Sequence, residues 1–567
     1  MQSDRCALQH VWRAFRRFRG RAESGICSAI TASVLLAAAA ATGLLTGCAP
    51  APPPADLVIV NGTEPESLDP AIVTGVSEMR ITRALFEGLL RLDPETARPI
   101  PGLAEKWEIS ADGKTYTFHL RPNLLWSTGE PITAADVLYS WVRALDPATA
   151  GDYAGQLFCI HNAEPFYLGQ IKNRDELGIR VLDAATLRVD LDYPLAFFPD
   201  LCCFPTLAVV PRSPIEALRE RWLSARPLPC SGPYILETWR LNDRIRLGMN
   251  PRYWDAGNTR NKVIDVLSVG SPNLALDLYE TGEADVVWDK DLVPVELLDV
   301  LLKRPDFHTY DYLGTSFYRF NVTRKPLDDA RVRKAFALAT DRLRLVKRLT
   351  RAGEKPASHL VPEGVANYLP PNGLPHDIGA ARELLAAAGF PGGHGFPRLQ
   401  YAYYAAQGGG GQMPAKIAVE LQQMWREALG VEIELRQVER KVFFAAQSRL
   451  DFDMSASSWI GDYNDPNTFL DLFTSNSGNN RTGWKSARYD GLIRLANSER
   501  DLRRRAEIFR EAEALLVNED VAIVPLYFYA GFNYFDPAKI GGIYQNLLDE
   551  HPFQAIYRKG PVRAGGR

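Results

Sequence analysis

The alternation of apolar and polar positions divides the chain into strands and helices. In Lys114–Pro122 (KTYTFHLRP), Tyr116, Phe118 and Leu120 fall on one face, the pattern of a half-buried strand. Ala185–Pro194 (ATLRVDLDYP) alternates likewise, and Asp56–Gly62 (DLVIVNG) reads as a strand running into a turn. A helical period replaces it in Ser77–Asp93, where Ile81, Leu85 and Leu89 share a face behind a serine cap, and in Thr133–Leu145 behind a threonine cap.

Beyond residue 320 the texture changes. Residues 328–350 and 379–390 read as helices, the second stopping at Gly389. Ala415–Leu429 is a long amphipathic helix that feeds a strand, Gly430–Val438, and Val521–Phe535 is a buried apolar strand. The middle of the chain is therefore β-rich and its C-terminal half α/β. Pro391–Gly395 and Gly408–Gly411 read as loops, and no internal repeat is evident.

The N-terminus follows a different rule. Arg13, Arg16, Arg17, Arg19 and Arg21 precede an alanine-rich apolar run, Cys27–Leu45, closed by Leu-Thr-Gly-Cys at 45–48. Basic, apolar, then small residues is the order of a secretory signal peptide; a single membrane helix is the alternative, since the run is near spanning length. The Leu-Thr-Gly-Cys end resembles the lipobox of bacterial lipoproteins, which makes Cys48 the lipidated first residue of the mature chain. The proline-rich 48–55 segment then reads as a tether.

With 567 residues, 46% hydrophobic and 23% charged, the chain has material for two or three domains and is not disordered. A net charge of −3 argues against nucleic acid as the main partner. Cys159, Cys202, Cys203 and Cys230 remain after export, an even count that suggests disulfides in an oxidising compartment. A vicinal Cys202–Cys203 bridge is strained, so Cys202 and Cys203 are expected to reach Cys159 and Cys230. The vicinal spacing is wrong for structural zinc.

Catalytic signatures are missing. There is no phosphate loop, no His-Glu-x-x-His and no nucleophile elbow. None of the seven histidines after Cys48 sits at metal-ligand spacing, and Asp328–Asp329 reads as a helix start. The expectation is a protein that is not an enzyme and has no cofactor or metal. One stretch remains unexplained: Ser457–Phe473 (SSWIGDYNDPNTFLDLF) sets Asp462 between Trp459 and Tyr463. A carboxylate among aromatics is costly unless a cation or hydrogen-bond donors meet it. Asp462 therefore either meets a cation or caps the following turn.

Nine blocks occur in a telling order: GTEPESLDP (62–70), LFEGLLRLD (85–93), PGLAEKWEIS (101–110), TYTFHLRPNLLWSTGEPITAADVLYSW (115–141), SGPYILETW (231–239), NPRYWD (250–255), GEADV (282–286), ARVRKAFALATDR (330–342) and the Asp462 stretch. Together they resemble the oligopeptide- and dipeptide-binding lipoproteins of bacterial peptide importers, the extracytoplasmic solute-binding family 5. The resemblance implies an α/β, type II periplasmic-binding-protein-like fold: two lobes, an additional third domain, and a ligand cleft between the lobes. It implies a signal peptide (1–47), a tether (48–55), a first domain from 56–86, 211–313 and 530–567, a second domain at 87–210 and a second lobe at 314–529. Interlobe strands are expected near Tyr312–Phe317 and Leu526–Gly531.

By the same resemblance Asp462 binds the peptide's α-ammonium group, while Ser457, Ser458 and Trp459 hydrogen-bond its backbone. Tyr153, Tyr529, Thr74 and Val76 match cleft positions. Basic residues that meet the peptide C-terminus in relatives are replaced here by Ala456 and Gln447, and a histidine by Pro414. Arg440 and Arg449 are the candidates to supply that charge, and the changed pattern also admits a cell-wall peptide, an opine, a metal chelate or a sugar. The implied partners are a peptide, the transmembrane subunits of an ABC permease with their cytoplasmic ATPases, and the envelope membrane through the lipid. A monomer is expected, on the periplasmic side in a two-membrane cell. A peptide-sensing receptor and an envelope hydrolase are the other readings.

Overall fold

The computed structural model describes residues 53–404 and 413–560. The signal segment, Cys48, most of the tether and the Gly408–Gly411 loop lie outside the described residues.

An eleven-stranded mixed sheet runs through the molecule. Its path is 433–438, 399–404, 454–460, 307–320, 523–535, 286–288, 57–60, 263–267, 244–249 and 234–240, with Lys355–Pro356 pairing off the path on 523–535. Each end has a parallel core: 57–60 between 263–267 and 286–288, and 399–404 between 433–438 and 454–460. Both faces of each end are covered. Along 57–60, Leu57 and Ile59 enter one apolar cluster while Val60 enters another. On the 307–320 strand, Tyr318 and Phe320 pack with Trp425 while Phe317 packs with Phe473 on the opposite face.

Two long strands, Phe307–Phe320 and Ile523–Phe535, belong to both ends and pair antiparallel. Their register slips twice, between Asp311 and Thr315 and between Ser316 and Phe317. At the second slip the partner is Pro525, which has no N–H to give a ladder. At the first, Leu313 turns elsewhere: its N–H donates to Leu547 O (2.7 Å), and its carbonyl accepts from Gly461 N (2.7 Å). Gly314 is demanded by the same spot, since a Cβ there would stand 2.8 Å from the Tyr529 ring. These slips are bulges, the places where a paired strand bends.

Residues 104–109, 115–120, 186–190 and 179–183 form a separate four-stranded antiparallel sheet. The helix Ala134–Ala144 covers it, opened by a Thr133–Asp136 capping box. Trp141, Tyr116, Phe118 and Phe198 fill the core between them.

Several sequence expectations need correction. The helix expected over Ser77–Asp93 runs only Val76–Leu85, with Gly75 rather than Ser77 as its N-cap. It stops because the chain must pass close to Cys202: a Cβ at Gly88 would lie 2.6 Å from the Cys202 carbonyl. Residues 90–92 then pair with 99–101 as strands. The 328–350 helix is broken after Leu338, where Asp341 caps a new turn by accepting from Arg344 N (2.9 Å).

The expected disulfides are not formed: Cys159, Cys202, Cys203 and Cys230 are free, buried thiols. Cys230 packs into a different apolar cluster from the other three. Cys203 turns back on Pro199 O (3.5 Å) and Cys159 on Gln156 O (3.6 Å). Burial pushes the Cys159 and Cys230 thiols up to about 12.

Candidate ligand-binding site

Asp462 follows the Met454–Ile460 strand directly. Its backbone N–H donates to Thr468 Oγ1 (3.0 Å) on the short helix that follows. The capping alternative falls to a neighbour: Asp465 accepts from Asn467 N (2.9 Å). The cation also goes to Asp465, which takes both terminal nitrogens of buried Arg505 at 2.6 and 2.9 Å. Among the described residues the Asp462 side chain is left with one hydrogen bond, from the Tyr153 hydroxyl at 3.3 Å. Burial dominates its chemistry and raises its pKa to about 7, against the opposing pull of that hydrogen bond. Asp471 is likewise raised to about 7 by burial and then by the charges of Asp462 and Asp465.

Tyr153 and Asp462 come from distant parts of the chain, the 87–210 segment and the second sheet end. A second contact reinforces this one. Phe197 stacks on Tyr463 with ring centroids 4.7 Å apart and planes 9° from parallel, and Tyr463 joins the core of the four-stranded domain. Arg505 lies over the Phe197 ring at 5.8 Å. Tyr153 in turn packs on Phe204 (5.0 Å), which shares an apolar cluster with Val73 and Met79. Thr74, exposed, and Val76, half-buried, lie in the same segment as Val73 and Met79.

The strand beside Asp462 has one free edge. On one side Gly314–Phe320 pairs with it along its full length. On the other, the Leu399–Tyr404 strand pairs only at Met454 and Ser455, then diverges. From Ala456 to Ile460 no strand occupies that edge among the described residues. Ser457, Ser458 and Trp459 all fall within this open stretch. The indole N–H of Trp459 is buried with no hydrogen-bond partner among the described residues. Tyr529 sits on the second long strand against Tyr527 (5.5 Å) and beside Gly314.

Arg440 and Arg449, at the two ends of the 440–448 helix, are exposed, and Arg440 lies 5.9 Å from the Phe444 ring. Gln447 does not face a ligand: it is buried and donates to Ser455 Oγ (2.6 Å) and Ala456 O (3.1 Å). Sequence reading passed over two arginines near the open edge's strand, Arg319, which donates to Ser457 Oγ, and Arg481, on the 479–481 loop. Arg319 was detectable as a charge inside an otherwise apolar alternation, SFYRFNV; Arg481 stands in a loop with no periodic signal. No cluster of side chains suited to a metal ion occurs among the described residues.

Comparison with known proteins decides the family. Residues 98–481 match the model described as bacterial extracellular solute-binding proteins, family 5 middle. The chain belongs to that family. It is 35% identical over 513 residues to the periplasmic oligopeptide-binding protein OppA of Salmonella typhimurium, covering 89% of this chain and 91% of that one. It is 33% identical over 485 residues to the dipeptide-binding protein DppE of Bacillus subtilis, covering 83% and 86%. A solved periplasmic oligopeptide-binding protein of Borrelia burgdorferi superposes with a TM-score of 0.77 at 31% identity, over 89% of this chain and 99% of its own. The bilobal α/β architecture of the family 5 proteins is thus the architecture described above. Membership makes this chain a binding protein rather than an enzyme.

Proposed function

We propose that this family 5 protein captures peptides between its lobes and delivers them to the transmembrane subunits of an ABC importer driven by cytoplasmic ATPases. One observation carries the reading: the carboxylate of Asp462 holds, among the described residues, a single long hydrogen bond from Tyr153 beside a strand edge that no other strand pairs. A peptide's α-amine has a pKa near about 8, so it is an ammonium ion at neutral pH. Placed between Tyr153 and Asp462 it supplies the missing charge. The rest of an extended peptide then adds as a strand along Ser457–Trp459, a mode that reads backbone and tolerates varied side chains. Thr74 and Val76 line the first residues of the ligand, and Tyr529 lines the hinge side. Arg440 and Arg449 add positive field at the outer end of the edge. The names of the relatives, oligopeptide- and dipeptide-binding, support this substrate class.

The domain partition supports a hinge mechanism, with segments 56–86, 211–313 and 530–567 in one lobe, 87–210 packed on it and 314–529 opposite. Ligand that bridges the lobes stabilises the closed form by its differential affinity for that form. The basic, apolar and small-residue order at the N-terminus supports export and lipid anchoring through Cys48 to the cell-envelope membrane, on the periplasmic side in a two-membrane cell, where the protein acts as a monomer. The test is a thermal-shift series on residues 56–567 with di- to pentapeptides and their N-acetyl twins. Free-amine peptides are expected to raise the melting temperature, and acetylation or Asp462→Ala to abolish the rise. Equal shifts from acetylated peptides overturn the assignment.

A further inference from the structure

The strand that leads into Asp462 ends where another segment takes its place on the ladder. Two residues opposed in a hydrogen-bonded antiparallel pair exchange both backbone bonds. Opposite Leu313, Gly461 supplies one of them: its N–H donates to Leu313 O (2.7 Å). The Leu313 N–H, which a continuing strand would receive at Gly461 O, goes instead to Leu547 O (2.7 Å). Leu547 thus holds the acceptor position just past the Met454–Ile460 strand, and the chain leaves the sheet at Gly461, one residue before Asp462. The segments are pressed together here. Leu313 is fully buried, and a Cβ at Gly461 would lie 2.6 Å from Leu313 Cδ2.

Leu547 belongs to a short strap, residues 546–551, whose anchor lies at the other end of the sheet. That anchor is Asp549, buried and in the left-handed region at φ +51°. Its carboxylate accepts from Arg80 Nη2 (3.3 Å), Trp288 Nε1 (3.1 Å) and Asn533 Nδ2 (2.9 Å). Asn546 closes the strap on itself, accepting from Glu550 N (3.2 Å) and donating to Glu550 O (2.9 Å). Between these fixed points Leu547 and Leu548 pack against the apolar cluster of Phe317, Leu360 and Phe473, and Leu548 also packs on the core of the four-stranded domain. A continuous path of contacts therefore runs from the Asp549 carboxylate through Leu547 O and the Leu313 backbone to Gly461 and Asp462.

We propose that the 547–549 strap is a positioning element for Asp462: by taking the Leu313 N–H it turns the chain out of the sheet and sets the carboxylate opposite Tyr153. The strap acts through Leu313 and Gly461 rather than by touching the ligand. The inference rests on the peptide reading above, in which Asp462 receives the α-ammonium group.

Isothermal titration of the full-length protein with tri- to pentaalanine and their N-acetyl twins tests it. Wild type is expected to bind the free-amine peptides at least about tenfold more tightly than the acetylated ones, the scale of a lost partner at a buried charge. Replacing Leu313 by its α-hydroxy acid makes the 312–313 linkage an ester, which deletes the N–H that the strap accepts and keeps the side chain. It is expected to cut the ratio by about fivefold, the scale of one hydrogen bond. A glycine inserted between Leu548 and Asp549, which separates Leu547 from its anchor, is expected to act likewise; the ester decides if the insertion fails to fold. Leu421→Ala, in the core under the 413–429 helix, controls for lost stability. It should lower the melting temperature and leave the ratio unchanged. The proposal is overturned, with the peptide reading intact, if the ester lowers the melting temperature or weakens both twins alike while the ratio holds. If wild type binds both twins equally, or neither, amine recognition itself fails and the role of the strap falls with it.

Discussion

Replacing Asp462 by asparagine should stabilise the ligand-free protein while destroying amine recognition. In the fold the carboxyl is raised from the ordinary aspartate range, near about 3.9, to about 7 because burial disfavours its charge. A carboxyl raised on folding contributes full stability only when protonated in both states, and that stability is lost as pH climbs from about 4 toward 7. The full displacement corresponds to about 4 kcal/mol above pH 7. Asparagine removes the charge but keeps a polar group to desolvate, so a net gain of about 2–3 kcal/mol is expected. For a chain of this size, with an unfolding entropy of roughly 1 kcal/mol/K, that amounts to about 2–3 °C. Melting curves of Asp462→Asn and wild type at pH 8 and pH 5 measure it. The variant should lead at pH 8, and the lead should shrink at pH 5 as the wild-type carboxyl takes up its proton. Asp471, also raised to about 7, titrates in both proteins: the part due to burial cancels, and loss of the Asp462 charge lowers it in the variant, which adds to the lead at pH 8. A variant no more stable at pH 8, or a lead that does not shrink at pH 5, refutes the claim that Asp462 is a buried charge awaiting a cation.

Three further outcomes follow from particular contacts. Phe197→Ala removes the stack on Tyr463, the aromatic contact between the four-stranded domain and the segment that follows the Met454–Ile460 strand. Calorimetry should then show ligand binding weakened by about tenfold, the equivalent of about 1.4 kcal/mol of closed-state stability. Asp465→Asn leaves the buried Arg505 guanidinium without its counter-ion and should cost about 3–5 kcal/mol in denaturant unfolding, with Arg505→Met added to it restoring part of the loss. Gly314→Val drives a side chain into the Tyr529 ring at the slip between the long strands. It should lower stability by about 1–3 kcal/mol and alter closure, read as a changed radius of gyration on adding ligand.

The strands at 57–60, 115–120, 186–190, 433–438 and 523–535 and the helices at 134–144, 378–387 and 413–429 were legible in the sequence, because each carries its own period and caps. Where neighbours in space overrode the local pattern, reading failed: the helix at 76–85 ends early because Gly88 must pass the Cys202 backbone. Four cysteines suggested two bridges, yet the fold sends Cys230 into a different core from Cys159. The candidate site divides in the same way. That Asp462 needed a partner was visible from its aromatic neighbours, since a local sequence fixes the cost of burying a charge. Which partner it receives was not, because Arg505 is 43 residues away and chooses Asp465. Tyr153 and Phe197 reach Asp462 and Tyr463 only through contacts between segments hundreds of residues apart, and no periodicity encodes those. The sequence alone determined the elements, the two-part α/β character and the isolated acid. Tertiary structure alone decided which edge stays open and which carboxylate stays without a cation, because each depends on atoms that meet only after the chain has folded.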